Sequence, residues 1–299
     1  MRVVILSALA VTLVIAGPRA WRVIESRLSM QTAQAAARSP LVATDRLGSI
    51  DAPAWLRGEV LHALLEDFEP RLKGAVHLLD EAGALALQDR LRQSSWVRSA
   101  KLSRVYPDRF KVHIELRRPV ARMVGDRGHG LRTLVLFDEQ GFAMPAHEVP
   151  LTELPEITLD GATPSFDFAA LRGGEPCADR RVIAACAVAA EWDAQVAPQV
   201  HDCPRLRAID PRNLDYQFAA DSAQYARILV GLQRSDGQVA WFHHGLASIH
   251  GGSVDPKTRA SVLQKILELH PGLEGIESGD LRLSNLWRNY LVPGTTGVR

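Results

Sequence analysis

Histidine and cysteine are the residues of this chain best suited to ligate a metal, and neither is spaced for it. His243 and His244 are adjacent, with His250 following. Neighbouring side chains on a strand point to opposite faces, and no cysteine or carboxylate stands at a supporting spacing, so packed or solvated histidines are expected. Cys177, Cys186 and Cys203 contain no C-x-x-C pair. No nucleophile elbow, Walker loop, dinucleotide fingerprint or H-E-x-x-H occurs, and Ser235, Asp236 and the scattered acids show no arrangement suited to general acid and base work. The chain is therefore expected to be no enzyme, with no catalytic, cofactor or metal site and no small-molecule substrate. An exported enzyme would need a deep polar pocket with a convergent nucleophile and base, which the sequence does not advertise.

Composition narrows the remaining classes. The 299 residues carry 35 Lys plus Arg against 34 Asp plus Glu, and 46% are hydrophobic. Those values exclude a wholly disordered chain, a collagen-like repeat and a polytopic membrane protein. With no basic run denser than scattered Arg pairs, nucleic acid is not an expected partner. The N-terminus departs from this average: residues 3–17, VVILSALAVTLVIAG, hold no charge. A helix of that length rises about 22 Å against a hydrocarbon core of roughly 30 Å, and continuation through Trp21 to Ile24 would let it cross. An uncleaved single-pass anchor over residues 1–28 is favoured over a signal peptide cut after Ala16. Arg2 before the run and Arg19, Arg22 and Arg27 after it leave the orientation open.

The elements beyond the anchor follow from periodicity. Residues 29–46 read as a linker. Leu56, Val60, Leu61, Leu64 and Phe68 predict a helix over 53–67, and a second is expected over 80–93, weakened by Gly83. Strands are expected at 99–105 and 109–116, where Phe110, Val112, Ile114 and Leu116 alternate with Lys111, His113 and Glu115, joined by a turn at Tyr106-Pro107-Asp108. A leading strand is expected near 47–50. Further strands are expected at 133–137, 154–159, 206–209, 213–218, 227–232, 238–242 and 280–287, with helices over 179–192 and from Asp255 to Leu269. The fold class is thus α+β: two helices on a small β-sheet, followed by a strand-rich mixed domain.

From Ser95 to Ala121 the order of residues resembles the POTRA domain of the FtsQ/DivIB family of bacterial cell-division proteins. Trp96 and Val97, Tyr106 and Pro107, then Arg117, Pro119, Val120 and Ala121 occupy its motif positions. Ser95 stands where the family usually has proline, and Leu116 where it has glutamate. Downstream, Asp138 to Gly141, Leu154-Pro155, Asp236-Gly237 and Asp280-Leu281-Arg282 resemble its later segments. The resemblance implies a POTRA domain over 47–122, an FtsQ-like β domain over 123–292 and a tail over 293–299. It also implies a non-enzymatic divisome scaffold in the cell inner membrane, with the bulk of the chain periplasmic. The rival is a cleaved, secreted periplasmic POTRA-containing chaperone or assembly module. In an oxidising periplasm Cys177 and Cys203 would form a disulfide; three unpaired thiols is the alternative. Trp96 has a bland role as core, and Arg117 and Arg118 as a solvated face.

Family members bind the periplasmic tail of a bitopic partner, FtsB, itself paired with FtsL, through their last strands. By position this role falls on Leu283, Asn285, Trp287 and Tyr290, where an edge strand would capture an extended peptide. The alternative weighed for Trp287 and Tyr290 is a lid over the core.

Overall fold

The computed structural model describes residues 25–35, 37–39, 41–43, 56, 58–126, 132–146, 154–159, 177–214, 227–250 and 253–294. The apolar run at 3–17, the leading strand expected at 47–50, the start of the helix expected from 53 and the far part of the strand expected at 213–218 lie outside them. Among the described residues no helix is long and apolar enough to cross a membrane. The fold is mixed α+β with one strand-rich sheet. Its described residues fall into two compact units, one drawn from Met1–Ala52, Phe68–Arg92 and Ser99–Glu115, the other from Pro53–Asp67, Gln93–Arg98 and Leu116–Arg299.

In the first unit, β1 (Leu41–Ala43), an apolar triplet within the stretch read as linker, pairs antiparallel with β2 (Ala75–His77). Ser39 secures that pairing: its carbonyl faces His77 Nδ1 at 2.8 Å and its hydroxyl accepts from Leu79 N at 3.0 Å. Asp80 starts the helix Glu81–Arg92 by accepting from Gly83 N at 3.0 Å. Gly83, which weakens helix propensity, is needed here, because an added Cβ would meet Val76 Cγ1 at 2.9 Å. Strands β3 (Val97–Val105) and β4 (Arg109–Leu116) form the expected hairpin, with Ala100 and Phe110 buried. Arg104 Nε donates to Leu78 O at 2.9 Å, tying β3 to the end of β2.

The second unit begins with helix α1 (Gly58–Phe68); the helix at Glu81–Arg92 is α2. Among the described residues its sheet has nine strands in the order β13-β12-β11-β10-β9-β8-β5-β6-β7. These are β5 (Ala121–Asp126), β6 (Arg132–Phe137), β7 (Ala143–Ala146), β8 (Glu156–Ile157), β9 (Leu206–Asn213), β10 (Arg227–Gln233), β11 (Val239–His243), β12 (Ile276–Asp280) and β13 (Val292–Pro293). Helix α3 (Arg180–Glu191), capped by Asp179 accepting from Arg181 N, packs against β9 and β5. Its buried run from Ala184 to Ala189 consists mostly of alanines, so the helix axis approaches the sheet closely. A π-helical turn at Trp192–Val196 follows, and α4 (Pro256–Leu269) packs on it.

Two sequence expectations change here. Residues 206–213 form one strand where a break was expected at Asp210-Pro211-Arg212. The register against β10 shifts between Arg227 and Leu229, and proline is tolerated at such an irregularity. Arg117 does not belong to a solvated face. Its side chain is 10% exposed and donates to Asp138 Oδ2 at 2.8 Å, with its guanidinium 3.7 Å over the Phe142 ring. Asp138 Oδ1 accepts from Gln140 N and Phe142 N at 2.9 Å each, which closes the turn at Gly141, where φ is +80°. Arg118 is exposed and pairs with Asp193 at 2.6 Å.

These two arginines separate a buried pair from a surface one. Asp138→Ala leaves a buried guanidinium uncompensated and should cost about 3–5 kcal/mol, whereas Asp193→Ala should cost less than about 1 kcal/mol. Denaturant midpoints of the full chain in detergent measure both, and equal losses would refute the distinction.

Candidate partner-binding edge

The last strands are placed by a buried polar cluster. Glu191, at the end of α3, and Arg259, in the first turns of α4, are both buried and form an ion pair. Arg259 also donates from Nε to His244 O at 3.1 Å and from Nη2 to Leu246 O at 2.7 Å, while Glu191 Oε2 accepts from Ser248 N. Residues 244–248, which leave β11, are thereby held to both helices. His244 is fully buried beside Trp192, with ring centroids 6.2 Å apart, and its Nδ1 donates to Gly245 O at 3.2 Å. Burial first, and the Arg259 charge second, push its imidazole down to about 3. The histidine is therefore neutral, and its 3.6 Å approach to Glu191 is no ion pair.

From α4 the chain returns as β12, parallel to β11, with Trp241 opposite Ser278 and Phe242 opposite Gly279. Gly279 lets two layers close on this strand, since an added Cβ would meet Phe242 Cε1 at 2.8 Å and Leu291 Cδ2 at 3.0 Å. The strand expected at 280–287 does not form. Asp280 Oδ1 accepts from Arg282 N at 2.8 Å, and the Arg282 side chain returns to both carboxylate oxygens. This local bond competes with the ladder and turns the chain away, while Leu281 enters the core. Residues 281–286 form no strand, running through two turns, Trp287–Tyr290 is a 3-10 helix, and β13 then pairs antiparallel with β12.

The four residues expected to bind a partner consequently differ in placement. Trp287 is buried in the core cluster, with the Arg288 guanidinium 5.3 Å from its ring. Leu283 is half-buried, whereas Asn285 and Tyr290 are exposed. Close to Tyr290 in sequence, Leu286 and Val292 are exposed as well. A strand would alternate its exposed faces there, and the 3-10 turn does not. Among the described residues β13 ends the sheet order and pairs with β12 alone.

The motif residues of the hairpin region likewise divide. Trp96, Val97, Pro119 and Ala121 are buried, Val120 is half-buried, and Tyr106 and Pro107 are exposed at the turn. All three cysteines are unpaired thiols. Burial pushes the Cys203 thiol up to about 11 and raises Cys177 and Cys186 as well, so none is poised as a nucleophile. Among the described residues no group of three His, Cys, Asp or Glu could hold a metal ion.

No family model matches the chain. Over 111 residues it is 33% identical to the cell division protein FtsQ of Allochromatium vinosum, a match covering 34% of this chain and 43% of that protein. The chain is thus similar to a cell-division protein across about a third of its length.

Neutral His244 gives the cluster a pH signature. Its ordinary value of 6.5 applies once the chain unfolds, and about 3 applies in the fold. Between these limits the unfolded chain binds more protons, so stability falls as pH falls, by up to about 1.4 kcal/mol per pH unit. His244→Phe should remove this part of the acid sensitivity. Urea midpoints at about pH 7 and about pH 5 compare the variant with the parent, and an unchanged difference would count against the assignment.

Proposed function

We propose that this chain is a non-enzymatic scaffold of bacterial cell division. One N-terminal span holds it in the inner membrane, and the folded units lie on the periplasmic side. The POTRA domain over 47–122 meets other divisome components, and the β domain over 123–292 recruits FtsB- and FtsL-like bitopic partners at its distal edge. The likeness to FtsQ carries this reading, and the β13 end of the sheet supplies a mechanism for it. An extended partner segment would add a strand beside β13, while Leu286, Tyr290 and Val292 offer apolar contacts to its side chains. Membrane tethering of both proteins raises their effective concentration, so a small contact suffices.

Tyr290 and Val292 are suited to the test because they are exposed; a change at buried Trp287 would act through the core. Tyr290→Asp combined with Val292→Asp should lower recovery of an FtsB-like partner with the full chain by roughly thirtyfold, the loss of about 2 kcal/mol typical of a central contact. Gln238→Asp, at the exposed β10–β11 turn, should leave recovery unchanged. Undiminished recovery with the double variant would remove the proposed edge.

A further inference from the structure

The tip of the β3–β4 hairpin is apolar and uncovered: Val105, Tyr106 and Pro107 are exposed, Tyr106 at 70%. Cations surround it. Residues 101–111 contain Lys101, Arg104, Arg109 and Lys111 against a single acid, Asp108. Asp108 is met by Arg109 at 3.7 Å, and neither Lys101 nor Lys111 forms an ion pair among the described residues. Strand alternation sets Lys101 and Val105 of β3 on one side of the hairpin with Arg109 and Lys111 of β4, and Ser99 Oγ bonding Glu115 Oε2 at 3.1 Å ties the two strands on that side. Ala100 and Phe110 are buried on the other side. The side opposite Ala100 and Phe110 thus carries Lys101, Arg109 and Lys111 beside Glu115, Arg104 lies on the Phe110 side, and Tyr106 stands exposed at the turn between the strands.

We propose that this tip is a lipid contact, with Tyr106 and its neighbours entering the headgroup layer of an anionic bilayer while the lysines and arginines reach its phosphates. An aromatic ring with a polar end is suited to the boundary between headgroups and acyl chains, and long basic side chains extend from there toward charge. An acidic polypeptide fits less well. It would neutralise the cations but leave the protruding tip in water, and the hollow beside the tip, about 410 Å³ between α2 and β3, presents Glu81 to it. The inference rests on the membrane-anchored reading, which keeps the tip within reach of a bilayer.

The test uses the full chain in liposomes of phosphatidylcholine, alone or mixed with phosphatidylglycerol. An environment-sensitive fluorophore is placed at Tyr106→Cys or, for comparison, at Gln238→Cys, both with Cys203→Ser. The label at 106 should shift to the blue and be quenched by brominated acyl chains in the anionic bilayer only, and salt should reverse this. Lys101→Gln and Lys111→Gln should each lower the embedded fraction, by about fivefold for the one charge removed. Identical emission at 106 and 238 in both bilayers overturns the proposal, as does a shift produced only by added polyglutamate. If the chain does not insert, the anchor reading fails, and the same label with vesicles added to the dissolved chain still decides the tip. Undiminished partner recovery with Tyr290→Asp and Val292→Asp, beside a retained lipid response, would sink the division edge and not this contact.

Discussion

Two full charges inside an apolar core are tolerable only if their polar atoms are met, and Glu191 with Arg259 satisfies that demand by drawing in the chain around them. The guanidinium takes the carbonyls of His244 and Leu246, and the carboxylate takes the amide of Ser248. The consequence is positional. The exit of β11, the end of α3 and the start of α4 meet at one point, so α4 returns the chain beside β11 and nowhere else. Parallel pairing of β12 with β11 follows, and with it the line on which β13 is laid. The distal edge inherits its position from a pair of charges buried in the core.

A second buried pair plays the same part at the other end of the strand-rich unit. Arg117 leaves the hairpin with its amide on Trp96 O at 2.8 Å and its guanidinium on Asp138, in the turn after β6. Because Asp138 also closes that turn, one carboxylate joins the chain entering β5 to the chain leaving β6. The Arg-x-Pro-Val-Ala and Asp-x-x-Gly segments, read separately in the sequence, are two halves of this contact. A lysine could supply the charge at 117, but not a planar cation that stacks on Phe142 while donating to the carboxylate.

The hairpin was legible because its signal is local: Phe110, Val112 and Ile114 alternate with charged residues, and Pro107 marks the turn. Helix α4 was legible from Asp255 and Pro256, and the β10–β11 turn from Asp236-Gly237, for the same reason. What escaped depends on partners far along the chain or on competition between local bonds. Arg117 is 21 residues from Asp138, and Arg259 is 68 from Glu191, separations over which charge patterning carries no signal. At 280–287 the residues have the composition of a strand, yet Asp280 binds the Arg282 amide and the ladder stops. At the candidate edge, local composition picks out a segment but not which of its side chains stay exposed. Trp287, the most conspicuous residue of the segment, is core, and the exposed apolar positions fall on Leu286, Tyr290 and Val292.

The shortness of β13 constrains how such an edge would work. Two residues, one of them Pro293 with no amide hydrogen, offer an incoming strand very few backbone bonds. A long unpaired edge would attract any extended chain, so a brief one protects the protein from edge-to-edge association and makes backbone pairing alone too weak to recruit a partner. On the proposed reading, specificity at such an edge would have to come from the side chains that flank it. Without a side chain at Gly279, Phe242 and Leu291 both close on β12, which seats the chain between the 3-10 turn and β13.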